Sequence, residues 1–383
     1  MDVVIVGGGI VGLASATFLA ERGASVTVFE KGSLGNGSTE RSAGGIRQQF
    51  TTPVNVALST ASLPVWESFE ERFGVDIAYR RPGYCFLARS PETAAALAES
   101  VALQNDHGVP TELLDPAETA AAVPEVATDE IHAASYLSTD GFADPHLALQ
   151  GFAQGLPALG VDLRTHTEVE DVVVEDDAVV GVVVDGERVD ADFVVNAAGP
   201  WAARVAAMAG VDLPVVPRRR QVQVVDPSPA VPASVPLTID LDSGVYFRPE
   251  REGAALVGGQ FESTPDPEAD PDRYRHSPDL DWQIDAVERA AEIAGYFGPE
   301  TRLKRGWAGL YAVTPDHHPI LEETLPGFVS ALGFSGHGFQ QGPAVGRIVA
   351  DLVFEGATSL VDVGGLGSDR FERGDLLEER HVA

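Results

Sequence analysis

Lysine and cysteine are almost absent from this sequence of 383 residues. Only Lys31 and Lys304 are lysines among the 26 basic residues, whereas 58 residues are acidic, which gives a formal net charge of −32. A negative field of this size repels nucleic acid and anionic membranes, so we expect neither as a partner. Abundant carboxylates with so little lysine are typical of proteins that stay soluble in concentrated salt, which predicts a halophilic protein. An ordinary acidic cytosolic protein is the alternative.

The single cysteine, Cys85, cannot form a disulfide within the chain and excludes a cysteine metal cluster. An uncharged run from Val3 to Ala20 has no basic leading region and contains three consecutive glycines. We therefore interpret it as a turn between a strand and a helix rather than as a signal or membrane segment. These features predict a cytoplasmic protein without an integral membrane segment.

The first 31 residues combine an apolar strand, a glycine turn and a helical pattern. In this turn Gly7 allows a sharp reversal, Gly9 lets the backbone approach a pyrophosphate, and Gly12 lets the helix pack on the strand. A second strand ends at Glu30, 18 residues after Gly12, where a carboxylate can accept hydrogen bonds from a ribose diol. The pattern predicts a dinucleotide site for FAD or NAD. It disfavours NADP, because Glu30 would repel a 2′-phosphate.

Three later stretches have the composition of ligand-binding turns. Residues 35–47 are small, polar and rich in glycine, so they can surround a ligand with main-chain donors; a flexible surface loop is the alternative. Segments 193–202 and 331–347 each pass from an apolar strand through small residues into a helix. A sheet brings its carboxyl edge against a nucleotide in this way, although an ordinary strand-to-helix turn would also explain segment 193–202.

Two other patterns favour a structural interpretation. The run Arg218-Arg219-Arg220 could be an anion site, but in so acidic a chain we interpret it as a neutralising surface cluster. His317 and His318 lack the accompanying ligands and spacing of a metal site, so no metal is expected. Aromatic and aliphatic residues at helical spacing between Pro53 and Phe73 predict one helix that packs in the core.

Together these motifs resemble the FAD-dependent amine and amino-acid oxidoreductases, which include glycine oxidase, sarcosine oxidase and D-amino-acid dehydrogenase. The motifs occur in the family's order: the glycine turn with Glu30, the loop Ser38 to Arg47, Asn196-Ala197-Ala198-Gly199, Thr314-Pro315-Asp316 and Gly333-Phe334-Ser335-Gly336-His337-Gly338. The resemblance implies an α/β fold, α+β overall. A Rossmann-like FAD-binding domain would comprise residues 1–78, 145–216 and 306–383, and an inserted antiparallel-sheet substrate domain residues 79–144 and 217–305.

The resemblance also implies FAD that is bound in an extended form by three discontinuous segments. Val169 would receive the adenine, and residues 336–340 would meet the flavin carbonyl edge, where the start of a helix stabilises negative charge. The residues expected to bind FAD are Gly7, Gly9, Ile10, Val11, Gly12, Glu30, Lys31, Ser38, Arg41, Ser42, Ala43, Gly44, Val169, Ala197, Gly199, Trp201, Gly309, Gly333, Gly336, His337, Gly338, Phe339 and Gln340.

We expect this FAD to be non-covalent. Sarcosine oxidases attach the flavin to a cysteine where this sequence has Gly309, and Cys85 is distant in the sequence. A histidine linkage is the alternative. The same oxidases place a lysine over the flavin, on a strand that matches residues 254–258. This stretch contains no lysine, and Leu256 lies nearest to the position of the oxidases' lysine. A dehydrogenase that uses another electron acceptor is therefore as plausible as an oxidase that uses oxygen. Lys304 could still supply the cation, because its position in the fold is open.

The activity implied is removal of a hydride from the carbon beside the nitrogen of a small amine or amino acid, of the glycine, sarcosine or D-amino-acid type. Arg47 matches the family's carboxylate-binding arginine, and Tyr246, Arg248 and His337 are further catalytic candidates. The alternatives are an FAD-dependent dehydrogenase of 2-hydroxy acids or polyol phosphates, and a non-catalytic flavin-binding subunit of a larger complex. The substrate's side chain and chirality and the oligomeric state stay open, with proline-like imino acids among the possible substrates.

Overall fold

The computed structural model describes residues 1–261, 263–264 and 266–382. Its strands are β1 (Asp2–Val6), β2 (Ser25–Glu30), β3 (Gly45–Ile46), β4 (Tyr84–Ala88), β5 (Glu112–Leu114), β6 (Ala133–Leu137), β7 (Gly141–Phe142), β8 (Asp162–Thr165), β9 (Val169–Glu175), β10 (Ala178–Val184), β11 (Glu187–Asp190), β12 (Phe193–Asn196), β13 (Val216–Asp226), β14 (Leu237–Asp240), β15 (Val245–Pro249), β16 (Ala255–Gly259), β17 (Arg302–Val313), β18 (Ile320–Leu325) and β19 (Phe328–Leu332). Its helices are α1 (Ile10–Glu21), α2 (Pro53–Glu67), α3 (Phe69–Phe73), α4 (Pro91–Asp106), α5 (Pro116–Ala122), α6 (Pro145–Gly155), α7 (Ala202–Met208), α8 (Leu280–Ile293), α9 (Gly338–Glu355) and α10 (Asp369–Arg373).

A six-stranded sheet brings distant parts of the chain together in the order β18-β19-β12-β1-β2-β8. Strand β1 runs parallel to β2 and β12, and β12 runs parallel to β19. In this register Val6 lies opposite both Phe29 and Asn196, so the carboxyl ends of three strands meet at one edge. Parallel strands with helical connections form the Rossmann-like arrangement, which confirms the predicted fold class.

An eight-stranded sheet forms the second layer of strands, in the order β17-β13-β16-β15-β14-β4-β6-β5. Its neighbours pair antiparallel except β14 and β4, as an inserted antiparallel sheet requires. The predicted domain limits stay a prediction. The limit at residue 306 nevertheless falls inside β17, whose full length pairs with β13 in this sheet. Among the described residues, no helix has both the length and the apolar character that crossing a membrane demands.

The helix predicted between Pro53 and Phe73 is divided at Ser68, which has φ −100° and ψ 15°. Its hydroxyl donates to the carbonyl of Pro64, so a local side-chain contact replaces helical geometry at this residue. The expected core contacts are confirmed on both sides of the break. Trp66 and Phe69 are each 1% exposed and stack with ring centroids 5.6 Å apart.

The Thr314-Pro315-Asp316 motif fixes the end of the chain through a buried ion pair. Asp316 is 2% exposed and accepts from Arg370 Nε at 2.8 Å and Nη2 at 3.0 Å. The remaining Arg370 donors reach the carbonyls of His318, Leu366 and Gly367, so each nitrogen of the guanidinium donates a hydrogen bond. His318, considered above as a metal ligand, instead places its Nε2 2.9 Å from the hydroxyl of Thr52.

Arg370→Ala should lower the free energy of unfolding by about 3–5 kcal/mol, because it leaves the buried Asp316 carboxylate without its cation. Arg373→Ala is the matched control: Arg373 lies on the same helix, but its side chain is 52% exposed and its ion pairs with Asp369 and Asp375 lie at the surface. That change should cost less than about 1 kcal/mol. Denaturant unfolding of both variants measures the difference, and equal losses would contradict the role given to Asp316.

Candidate functional site

A cleft of about 450 Å³ runs between the two large sheets. One end is lined by the turn between β1 and α1, and the other by residues of β13, β15 and β17. The carboxyl edge of the six-stranded sheet opens into it, since Val6, Phe29 and Ala197 all lie in its wall. The cleft therefore connects the predicted dinucleotide site to the predicted substrate domain.

The glycine turn is held by contacts that no larger residue would permit. Gly7 has φ +112°, and a Cβ there would come within 2.5 Å of the carbonyl oxygen of Ala197. A Cβ on Gly12 would lie 2.0 Å from the carbonyl oxygen of Gly7. The first turn of α1 thus packs directly on the end of β1, which points its N-terminal N–H groups into the cleft.

Glu30 lies at the end of β2 with its carboxylate held in place. Its Oε2 accepts from the N–H of Gly8 and its Oε1 from the N–H of Gly32, each at 2.8 Å. A carboxylate oxygen has a second lone pair, so both oxygens can still accept from a ribose diol. The geometry fits the role that the sequence assigns to Glu30.

Val169, Gly199 and Trp201 line the end of the cleft that is predicted to receive the adenine. Lys31 Nζ lies 4.3 Å from the centroid of the Trp201 ring and 2.6 Å from Asp272 Oδ1. Trp201 Nε1 donates to the same Asp272 oxygen at 2.8 Å. These contacts fix an aromatic face and a cation beside the position predicted for the adenine.

The other half of the cleft is enclosed by the loop after β2 and by β17. Ser38 donates to the carbonyl of Leu310, and Trp307 Nε1 donates to the carbonyl of Arg41 at 3.0 Å. Helix α9 begins at Gly338, and Gly336 and Gly338 both line the cleft. A helix N-terminus that faces the cleft can stabilise negative charge on a bound ring system.

Most residues predicted to bind FAD share this cleft. The lining includes Gly7, Gly9, Ile10, Val11, Glu30, Lys31, Ser38, Arg41, Ser42, Ala43, Val169, Ala197, Gly199, Trp201, Gly309, Gly333, Gly336, Gly338 and Phe339. Gly12, Gly44, His337 and Gln340 are not part of it. Gln340 instead accepts from the N–H of Arg47 at 2.9 Å, so it connects the loop to α9 behind the wall. The donor-rich turn, the fixed carboxylate and the length of the cleft fit an extended FAD.

The predicted catalytic residues are divided between the cleft and the layer behind it. Tyr246 lines the cleft, and burial raises the pKa of its phenol, which stays protonated. Arg248 is buried on the same strand, 4.4 Å from the centroid of the Phe142 ring, and its Nη1 pairs with Glu250 at 3.2 Å. His337 is 5% exposed, and burial followed by the nearby Arg47 charge lowers the pKa of its imidazole.

Arg47 does not line the cleft, and main-chain carbonyls, one of them in the C-terminal segment, accept hydrogen bonds from its guanidinium. Its Nη1 donates to the carbonyl of Gln49, and its Nη2 donates to the carbonyl of His381. The Arg47 guanidinium also lies 4.0 Å from the centroid of the Phe50 ring. The expected contact with a substrate carboxylate thus stays a prediction that this arrangement does not favour.

We call residues 375–382 the C-terminal tail. Within it Glu379 is 3% exposed and accepts hydrogen bonds from Thr51, Thr52 and Asn55, the last at 3.0 Å. The His381 ring stacks on Phe86 with centroids 4.5 Å apart. No local sequence motif indicated this docking, because its partners lie about 300 residues away in the sequence.

The interpretation of Arg218-Arg219-Arg220 as a surface cluster is wrong for two of its three members. Arg219 and Arg220 are 6% and 8% exposed, whereas Arg218 is exposed. Arg219 pairs with Asp279 at 2.7 Å on one face of β13, and Arg220 lines the cleft on the other. The run lies inside a strand, so alternate residues face opposite sides of the sheet.

Tyr311 and Gln221 are among the further residues that line the cleft and were not predicted as site residues. Tyr311 lies on β17, three positions before Thr314 of the Thr-Pro-Asp motif. The alternation of side chains along that strand could have indicated that Tyr311 faces the cleft. Lys304, whose position was open, lies near the start of β17 with its side chain 42% exposed and 3.9 Å from Asp226. It does not line the cleft.

Comparison with known proteins gives a consistent result. The model of a family described as FAD dependent oxidoreductase matches residues 2–352. FAD-dependent oxidoreductase domain-containing protein 1 of Xenopus laevis is 32% identical, over the whole of this chain and 84% of that protein. Glycine oxidase of Geobacillus kaustophilus is 30% identical, over 92% of each chain. The crystal structure of L-proline dehydrogenase from P. horikoshii superposes with a TM-score of 0.89 at 35% identity, over 98% of both chains.

Glu30→Ala should weaken FAD binding by roughly 10- to 100-fold, because hydrogen bonds to a charged group contribute about 1.5–3 kcal/mol. Glu21→Ala is the control: Glu21 pairs with Arg72 at the exposed end of α1, away from the cleft. The flavin-to-protein absorbance ratio after gel filtration and the titrated dissociation constant measure the effect. Unchanged retention of FAD in Glu30→Ala would remove Glu30 from the site.

Proposed function

The chain belongs to the family of FAD-dependent oxidoreductases, and we propose that its substrate is a small secondary α-amino acid of the sarcosine or proline type. It is an enzyme that oxidises the C–N bond of an amino acid. The observation that carries the proposal is the continuous cleft, in which the dinucleotide turn leads to Tyr246, Tyr311 and Arg220. The similarity to L-proline dehydrogenase and glycine oxidase supports this substrate class.

FAD, when bound, supplies the acceptor for the hydride that C–N oxidation releases. The residues of this chain bind and orient the substrate and exclude water from it. Burial raises the pKa values of Tyr246 and Tyr311, so both phenols stay protonated and act as hydrogen-bonding groups rather than as bases. The substrate must therefore arrive with its nitrogen already neutral, or lose the ammonium proton to water, before the hydride leaves.

The walls at this end of the cleft suit a nitrogen that carries a second carbon. Val222 and the Tyr246 ring line the space, and Leu256 is fully buried behind them. Tyr246 is the predicted catalytic residue that we retain as a substrate contact. Arg47, Arg248 and His337 lie behind the lining, and we propose that they position the residues in front of them.

We propose a dehydrogenase that transfers electrons to a carrier other than oxygen. An oxidase uses a cation near the flavin to stabilise developing superoxide. Lys31 pairs with Asp272 beside Trp201, and Lys304 is exposed on β17, so neither lysine supports such a role. Arg220 also lines the cleft, but the Asp266 carboxylate 2.6 Å away compensates its charge. Leu256 is 0% exposed at the place where the related oxidases have a lysine.

We also propose that FAD is non-covalent. Cys85 is fully buried on β4, burial raises the pKa of its thiol to about 12, and it does not line the cleft. Gly309, which stands where related oxidases attach the flavin, lines the cleft without a reactive side chain. Acid precipitation should leave FAD in the supernatant, and a yellow pellet would show a covalent bond.

Under anaerobic conditions, sarcosine or L-proline should bleach the flavin absorbance of the purified enzyme in a single turnover. Glycine and a D-amino acid serve as primary-amine comparisons, and lactate and glycerol 3-phosphate as substrates without nitrogen. Secondary amino acids should reduce the flavin fastest, because the apolar walls contact the second carbon on nitrogen. Reduction only by the hydroxyl compounds, or by none of the six, would overturn the proposal.

The same reduced sample distinguishes a dehydrogenase from an oxidase. Mixed with air, it should regain its absorbance much more slowly than when mixed with an artificial dye. Rapid reoxidation in air with formation of peroxide would show an oxidase.

We propose that the protein is cytoplasmic and adapted to high salt. With a net charge of −32, carboxylate repulsion is unscreened in dilute buffer, so the melting temperature should rise steeply from low to multimolar potassium chloride. A melting temperature independent of salt would refute the adaptation. Cell fractionation tests the location, and recovery outside the cytoplasmic fraction would contradict it.

A further inference from the structure

Arg220 is a buried cation that faces the cleft. It lies within β13, where it pairs with Gly309 of β17, and it is 8% exposed. The Arg220 guanidinium carbon lies 5.0 Å from the centroid of the Tyr311 ring, which also lines the cleft.

Arg220 has hydrogen-bond donors that lack an acceptor among the described residues. Among the residues that the structure describes, Nε and Nη1 are buried without a hydrogen-bond partner. Asp266 Oδ2 lies 2.6 Å from Arg220 Nη1. This oxygen also has no hydrogen-bond partner among the described residues, so the contact is an ion pair that lacks hydrogen-bond alignment. A buried guanidinium with unsatisfied donors is costly unless a ligand completes it.

Neighbouring arginines do not offer the same capacity. Arg219 donates to Asp279 at 2.7 Å and to the carbonyls of Arg275 and Ser277. Arg47 is engaged by main-chain carbonyls, one of them in the C-terminal tail. Arg248 also has an unpaired Nε, but it does not line the cleft. Arg220 therefore combines free donors with access to the cleft.

We infer that Arg220 binds the carboxylate of the amino-acid substrate, an assignment that rests on the proposed function. A planar guanidinium can donate two parallel hydrogen bonds to a carboxylate, which fixes both the position and the orientation of the ligand. Tyr246 and Tyr311 stand beside it in the cleft wall.

Asp266 is the group that neutralises Arg220 in the absence of a ligand. Burial raises the pKa of Asp266 to about 6, against the opposing effect of Arg220, so the carboxylate is still mostly ionised near neutral pH, and poor alignment is what weakens its contact with the guanidinium. The incoming carboxylate replaces this misaligned partner with a bidentate one. The exchange keeps the buried positive charge compensated throughout binding.

The test measures carboxylate binding directly, by titrating pyrrole-2-carboxylate into the FAD-loaded enzyme and following the flavin absorbance. Arg220→Gln should weaken its binding roughly 100-fold, and Arg220→Lys, which keeps the charge but not the planar fork, roughly tenfold. Arg302→Gln is the matched control, since Arg302 lies at the far end of the neighbouring strand β17, is exposed, carries the same charge and does not line the cleft. It should leave the affinity unchanged.

Two outcomes would overturn the assignment. One is equal binding by wild type and Arg220→Gln; the other is loss of FAD itself from both Arg220 variants, which would make Arg220 a cofactor residue. Arg47→Gln should lower the melting temperature by releasing the C-terminal tail while leaving the affinity nearly intact. If Arg47→Gln lost affinity for pyrrole-2-carboxylate while Arg220→Gln did not, the carboxylate contact would belong to Arg47 instead. Because the titration needs no turnover, it stands even where no amine reduces the flavin.

Discussion

The direct contact between the ends of β1 and β12 is the constraint on which the cleft depends. Gly7 packs against the Ala197 carbonyl so closely that a Cβ has no room, and Gly12 packs on Gly7 in turn. These contacts direct the N–H groups at the start of α1 into the cleft and place the Glu30 carboxylate beside them. The cofactor site is therefore a property of backbone packing more than of individual side chains.

The antiparallel sheet complements this site from the opposite side. Strands β13 and β17 pair over eleven positions, and their cleft-facing residues include Arg220, Gly309 and Tyr311. One sheet thus supplies main-chain donors and a fixed carboxylate, and the other supplies phenols and a guanidinium. Separation of the two roles lets the substrate pocket vary while the dinucleotide site keeps its geometry.

Local motifs in the sequence predicted the parts of the site that backbone chemistry determines. The glycine turn, Glu30 and the small residues around Gly199 and Gly336 were recognisable because each needs a specific residue type at a specific spacing. The orientation of Arg219 and Arg220 was not, because it depends on which face of β13 meets the cleft. The contact of Arg47 with the C-terminal tail was not predicted for another reason: the tail reaches Arg47 only in the folded chain, and composition gives no sign of that contact.

The central claim is that one cleft holds FAD along the glycine turn and an amino-acid carboxylate on Arg220. A crystal structure of the enzyme with FAD and pyrrole-2-carboxylate tests it most directly. In that structure we expect the pyrophosphate at the start of α1, the ribose diol on Glu30, and both carboxylate oxygens within about 3 Å of the Arg220 guanidinium. A carboxylate bound instead by Arg47, with the C-terminal tail displaced, would contradict it.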